Sequence, residues 1–317
     1  MSEHTKSVAI IGTGLIGRGW AVVFARAGYA VRLWDGAAAA AQEALPHVGE
    51  SLRDMSEVGL VPDLAAAQAR LSVASDLSQA LAGAAWAQES VREDADVKRD
   101  VCRAMDAAAG PDTILASSTS AIPGSVFLAD LPGRDRCIVA HPANPPHLMP
   151  VVELAPSPWH ADAFVQRCAA FLSGVGQVPV VVRHEAVGFV MNRLQAAVIG
   201  EAMSLVAKGV VDPDGLDAVM KHSLGLRWSF LGPFETMDLN APAGFLDYAR
   251  RYGSTYATLS SDLTVAAPWS DAAMERIEAA RRAATPAGSV TARQRWRDRR
   301  LMRLLKHQQD CDREIGA

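Results

Sequence analysis

The chain is 317 residues long, 50% hydrophobic and 21% charged, with a formal net charge of -4. That length accommodates two domains of ordinary size, and the slightly acidic balance gives no electrostatic basis for wrapping nucleic acid. No apolar run approaches the ~18 residues of a membrane-spanning helix, residues 1–6 carry no basic-then-apolar leader, and the four cysteines (Cys102, Cys137, Cys168, Cys311) lack any metal-ligand spacing, so the expectation is a cytoplasmic protein with reduced thiols and no metal.

Residues 8–11 form an apolar strand, followed by a glycine turn, an amphipathic helix, a second strand over 29–34 and a terminal acid, Asp35. This is the layout of a dinucleotide-binding unit. Gly12 permits the tight turn, Gly14 lets backbone approach a pyrophosphate, and Gly17 lets the helix pack closely on the sheet; Leu15 and Ile16 lie between them at the helix start, whose free N–H groups face the phosphates. Asp35 can accept hydrogen bonds from both ribose hydroxyls and repels a 2'-phosphate, and no basic residue follows before Arg53. The expected cofactor is therefore NAD rather than NADP.

The alternation continues. Helices over 37–55 and 64–70 precede a strand near Leu71, a helix near Leu77, a strand over 84–90 that ends in polar residues, a helix over 94–109 and a strand over 113–116. Further strands fall at 137–141, 151–154 and 178–182, with a helix over 161–172 between the last two. The fold class is α/β, a Rossmann-type and mostly parallel sheet. After Arg183 the pattern changes: apolar residues recur at helical spacing over 187–208 (Val190, Leu194, Val198, Leu205), Asp212-Pro213 starts another helix, and no strand follows. The chain divides accordingly into an NAD-binding domain, 1–184, and an all-helical substrate and dimerisation domain, 185–317.

His141 ends a strand and opens into Pro-Ala-Asn-Pro-Pro, and Glu153 lies in the next strand, so a hairpin-like excursion can bring them together. A carboxylate orients an imidazole in one tautomer and makes it more basic, as proton abstraction from an alcohol requires. Taken alone, a histidine at a strand end is more often structural.

Several stretches resemble the 3-hydroxyacyl-CoA dehydrogenase superfamily, most closely its lambda-crystallin and L-gulonate 3-dehydrogenase branch. They are Gly12-Thr-Gly-Leu-Ile-Gly-Arg-Gly-Trp20, Ser117-Ser-Thr-Ser120, His141-Pro-Ala-Asn-Pro-Pro146, Val151-Val-Glu-Leu154, Gly188-Phe-Val-Met-Asn-Arg-Leu194, Gly232-Pro-Phe-Glu-Thr-Met237 and Trp296-Arg-Asp298. The resemblance implies that His141 is the catalytic base and Glu153 its carboxylate partner, with Ser120 and Asn192 hydrogen-bonding the substrate oxygen. It further places Glu93, Lys98, Asn144 and Ser120 near the nicotinamide half of NAD. The implied reaction is oxidation of a secondary alcohol.

An acyl-CoA substrate needs cations for its phosphates, which the resemblance places in the helical region after the second strand, yet between Gly36 and Leu71 the chain has only Arg53 and Arg70 and no lysine. A small free L-3-hydroxy acid is expected instead, its carboxylate held by Arg227, or less favourably by Arg193. Where the gulonate branch tends to carry tyrosine after the double proline, this chain has His147-Leu148-Met149, which opens the alternative of L-carnitine, with Trp228 and Phe230 able to face a cation but expected to pack in the core. The basic tail over 293–306 carries Trp296, Leu301, Met302 and Leu305, an apolar stripe expected to dock on a second copy in a homodimer. An idle crystallin-like structural protein is the alternative of another class, whereas a serine hydrolase lacks a G-x-S-x-G elbow.

Overall fold

The computed structural model describes residues 6–263 and 271–316; the N-terminal residues read as leaderless, 1–5, lie outside them. Two compact units are present, one formed by residues up to Asn192 together with those from Asp298 onward, the other by Arg193–Arg297. The boundary expected near His184 falls within the first unit, which also takes in the end of the tail.

The first unit is built on strands β1 (Ser7–Ile11), β2 (Ala30–Trp34), β3 (Leu71–Val73), β4 (Ala84–Glu89), β5 (Ile114–Ser117), β6 (Cys137–Pro142), β7 (Val151–Ala155) and β8 (Val178–Val181). They form one sheet in the order β3-β2-β1-β4-β5-β6-β7-β8, parallel except where β6 meets β7. Helices α1 (Leu15–Arg26), α2 (Ala38–Glu57), α3 (Leu64–Ala69), α4 (Leu77–Leu81), α5 (Ala95–Ala108), α6 (Gly124–Leu128) and α7 (Asp162–Gly174) connect them. Every residue of β1 is buried, which is why it reads as an unbroken apolar run: both faces of a doubly covered parallel sheet are inside. Val8 and Ile10 join one core with Trp20, Phe24, Trp86 and Leu154; Ala9 and Ile11 join the other with Met105, Leu128 and Val139.

The elements match the sequence expectations with one instructive exception. The helix expected from 187 begins at Met191, as α8 (Met191–Ala207), because Gly188 and Phe189 both have positive φ, +76° and +48°. Apolar spacing reports which face is buried and is blind to such a turn. Cys102, Cys137, Cys168 and Cys311 are all free thiols, and burial pushes Cys137 and Cys168 up to about 12, so they are unreactive at neutral pH.

Beyond Arg193 the described residues are helical: the rest of α8, then α9 (Pro213–His222), α10 (Leu224–Arg227), α11 (Pro233–Leu239), α12 (Phe245–Asp262), α13 (Asp271–Ala284) and the start of α14 (Val290–Ile315). Asp212 caps α9, accepting from the Gly215 N–H at 2.6 Å, with Pro213 at the first helical position. Two sequence expectations are corrected here. Trp228 and Phe230, expected in the core, are exposed, at 41% and 72%. In the tail, Met302 is buried in the first unit's core with Leu301 and Leu305 packed beside it, so that part of the stripe is covered by its own chain, while Trp296 stays 45% exposed. A one-dimensional pattern marks an apolar face without saying what covers it.

Candidate active site

The crevice opens where β1 and β4, adjacent in the sheet, send their chains in opposite directions, the place where α/β sheets bind dinucleotides. Gly12 has φ +92°, and a Cβ there would stand 2.8 Å from the Ser90 carbonyl group; a Cβ on Gly17 would lie 1.9 Å from the Gly12 carbonyl oxygen. Gly14 is the N-cap of α1 without any side-chain cap, and a Cβ on it would meet nothing within 4 Å. The helix start thus presents free N–H groups to open space, with Leu15 70% exposed beside it and Ile16 tucked against the core. Asp35 is fixed at the end of β2 by the Thr13 N–H (2.8 Å), the Thr13 hydroxyl (3.0 Å) and the Ala37 N–H (3.0 Å). These residues fit a dinucleotide: an unfilled backbone cradle for pyrophosphate and a positioned carboxylate for a ribose.

Across the sheet, His141 and Glu153 face each other as a register pair of the antiparallel β6–β7 ladder. Their side chains meet at 2.8 Å, His141 Nδ1 to Glu153 Oε2, both buried. The other carboxylate oxygen accepts from the Val190 and Met191 N–H groups, each at 2.8 Å, at the start of α8. Burial pushes the Glu153 carboxyl up, but the hydrogen bonds from His141, Met191 and Val190 outweigh it and hold the group below the usual carboxylate range. An ionised Glu153 accepts only, so His141 Nδ1 carries the proton and donates. Its Nε2 has no hydrogen-bond partner among the described residues and is left as the basic nitrogen. Phe189 packs against the imidazole at 5.4 Å between centroids, and its left-handed backbone turns the next two N–H groups toward Glu153. A phenylalanine in that conformation costs on the order of 1–3 kcal/mol, a strain found where a site needs the turn.

Glu93 gathers the donors of the segment that follows β5. It accepts from the Thr119 hydroxyl (2.7 Å), the Ser120 N–H (2.8 Å), the Ala121 N–H (3.1 Å) and the Ser120 hydroxyl (3.2 Å). Burial raises its carboxyl, yet these donors with Lys98 bring it below its ordinary value. Asn192 donates from Nδ2 to the Ser120 carbonyl at 2.8 Å, so Ser120 and Asn192 are held together. Lys98 does not line the crevice: it is 1% exposed, its ammonium bound to Glu89 (3.0 Å) and Glu93 (3.3 Å). It orders Glu93 from behind. Asn144 stands exposed on the loop after β6. Arg227, on α10, is half-buried with no ion pair or side-chain hydrogen bond among the described residues, while Arg193 is exposed.

Sequence reasoning missed Glu89 and Phe189. Glu89 left a trace, a carboxylate closing an apolar strand; its burial raises its pKa against the opposing pull of Lys98 and the Ser117 hydroxyl. Phe189 left none. Among the described residues no cluster of His, Cys, Asp and Glu could hold a metal, and no helix is long and apolar enough to cross a membrane.

Comparison with known proteins bears on this geometry. Residues 7–186 match the model of the NAD-binding domain of 3-hydroxyacyl-CoA dehydrogenase, and residues 188–281 that of its C-terminal domain. The lambda-crystallin homolog of Bos taurus is 42% identical over 97% of this chain and 98% of that protein. An L-carnitine dehydrogenase of Streptomyces griseus is 38% identical over 76% of this chain and 72% of that protein. Among solved structures, 5-formyl-3-hydroxy-2-methylpyridine 4-carboxylic acid 5-dehydrogenase, an NAD+-dependent dismutase, superposes with a TM-score of 0.80 at 29% identity, covering 95% of this chain and 98% of that one.

Proposed function

The chain belongs to the 3-hydroxyacyl-CoA dehydrogenase family and is an NAD-dependent oxidoreductase of CH–OH donors; from that premise we propose that it oxidises the 3-hydroxyl of a small free L-3-hydroxy acid, of the L-gulonate type, with His141 as general base. The observation carrying the reading is the 2.8 Å contact of His141 with buried Glu153, which leaves Nε2 as the nitrogen able to take a proton. NAD, held by the glycine turn and Asp35, would supply the hydride acceptor for the carbinol carbon. His141 Nε2 removes the hydroxyl proton, and Glu153 stabilises the imidazolium that results. Ser120 holds Glu93 by its longest hydrogen bond there, 3.2 Å, so its hydroxyl turns to the substrate oxygen while three other donors keep Glu93 in place. The second hydrogen of Asn192 Nδ2 serves the same oxygen. Gly12, Gly14, Leu15, Ile16, Gly17 and Asp35 hold the cofactor, with Glu93 and Asn144 on its nicotinamide side.

The free-acid reading rests on the scarcity of cations over 36–71, where Arg70 already donates to the Ala25 carbonyl. Arg227, unpaired among the described residues, is available to a carboxylate. A second reading, L-carnitine, is favoured by the neighbouring Trp228, whose exposed ring suits a quaternary ammonium, and by the carnitine-oxidising relative. Initial rates with NAD against L-gulonate, L-3-hydroxybutyrate, L-carnitine and 3-hydroxybutyryl-CoA separate these. Turnover of the thioester alone would overturn the free-acid reading, and silence on all four would favour a crystallin-like structural role. The free thiols suit a reducing, cytoplasmic setting. A homodimer is supported by exposed apolar residues of the second unit, Leu226, Phe230, Phe234, Leu239 and Leu246, and by Trp296 of the tail stripe, itself exposed.

A further inference from the structure

Behind the crevice lies a polar chain, buried at Trp86 and Gln88 and partly exposed at Ser118 and Ser90, with no part in the chemistry proposed for the dyad. Trp86 Nε1 donates to Gln88 Oε1 at 2.8 Å; Gln88 Nε2 donates to Ser118 Oγ at 2.8 Å and to the Ala140 carbonyl at 3.3 Å. Trp20 Nε1 donates to Ser118 Oγ at 3.2 Å, and Ser118 Oγ lies 2.9 Å from Ser90 Oγ. An indole N–H can only donate and a carbonyl can only accept, so the Gln88 amide has one possible orientation. Ser118 Oγ therefore receives two N–H groups, which fill both of its lone pairs. Its single hydrogen goes to Ser90 Oγ, the one remaining oxygen within reach among the described hydrogen bonds. With Ser118 donating, the Ser90 hydroxyl hydrogen is directed away from this chain.

Ser90 is the first residue beyond β4 and partly exposed, beside the glycine turn: its N–H donates to the Ile11 carbonyl at 2.7 Å, and its own carbonyl is what a Cβ on Gly12 would strike. The Ser90 hydroxyl hydrogen has no acceptor among the described hydrogen bonds, and Ser90 stands at the place where a dinucleotide crosses from β1 to β4. We propose that Ser90 is a cofactor-binding residue, its hydroxyl donating to an acceptor oxygen on the nicotinamide-side ribose or the pyrophosphate of NAD, in a direction imposed by Trp20, Gln88 and Ser118. The inference rests on the NAD cofactor and is independent of which hydroxy acid is the substrate.

Calorimetric titration of the full chain with NADH, ADP-ribose and ADP, with thermal unfolding recorded alongside, tests it. Ser90→Ala weakens NADH and ADP-ribose binding about 3- to 10-fold, the worth of one neutral hydrogen bond, whereas Ser90→Thr, which keeps the hydroxyl, binds within about twofold of the parent. A parallel loss with ADP assigns the pyrophosphate, and an unchanged ADP affinity assigns the ribose. A loss confined to NADH, a change under about twofold in Ser90→Ala, or an equal loss in Ser90→Thr overturns the proposal.

Discussion

The two units treat their apolar residues in opposite ways. In the first, both faces of the sheet close over continuous cores, and even the tail returns Met302 to one of them. In the second, α9 to α12 contain no buried residue, and Phe230, Phe234, Leu239 and Leu246 are exposed. A site that depends on a proton held between two buried side chains can be built only where water is excluded by the chain itself; the second unit instead carries surface that fits contact with something else.

His141→Ala should produce the largest effect, a fall in kcat of ~100- to 10,000-fold with NADH affinity unchanged, since general-base help is lost while the crevice stays intact. Retention of most of the rate would remove the imidazole from the mechanism. Phe189→Ala asks how far the dyad depends on packing: it should cost about 3–5 kcal/mol in denaturant unfolding, as for other buried aromatics, and lower kcat as well. In the second unit, Phe230→Asp should weaken self-association about 100-fold in sedimentation equilibrium, because a charge buried at an apolar interface costs several kcal/mol; a parent protein that sediments as a monomer would dissolve the contrast drawn between the units. Arg227→Met should raise KM for a free hydroxy acid at least about tenfold with kcat little altered, the loss of a charge-assisted contact of ~1.5–3 kcal/mol. The smallest effect is on stability against pH. The folded-state pKa of Glu153 is depressed, so the stability it contributes is present above the ordinary carboxylate pKa, about 4.3, and is lost as pH falls through the lower folded value. Glu153→Gln should flatten that acid limb in unfolding curves recorded from neutral pH downward.

The cofactor unit was legible because its signals are local: a strand, a turn needing glycine, a helix start and an acid within one short stretch. The dyad was legible for a similar reason, since two strands joined by a proline-bound loop bring His141 and Glu153 into register. Lys98 shows the limit. Its place in the motif implied contact with the cofactor, but an ammonium closed in by Glu89 and Glu93 acts through its neighbours. The tail stripe likewise announced an apolar face and was silent on its cover.

Sequence alone determined the α/β order of the first unit, the helical character of the second, the choice of cofactor and the pairing of His141 with Glu153. Periodicity and turn chemistry act over a few residues and are written in the chain. Tertiary structure decided how that pair is held: the Val190 and Met191 N–H groups on Glu153, the ring of Phe189 against the imidazole, and the direction of the hydroxyls from Ser118 to Ser90. Those depend on which donors and acceptors packing brings within ~3 Å from distant positions, and a hydrogen bond takes its direction from all its neighbours at once.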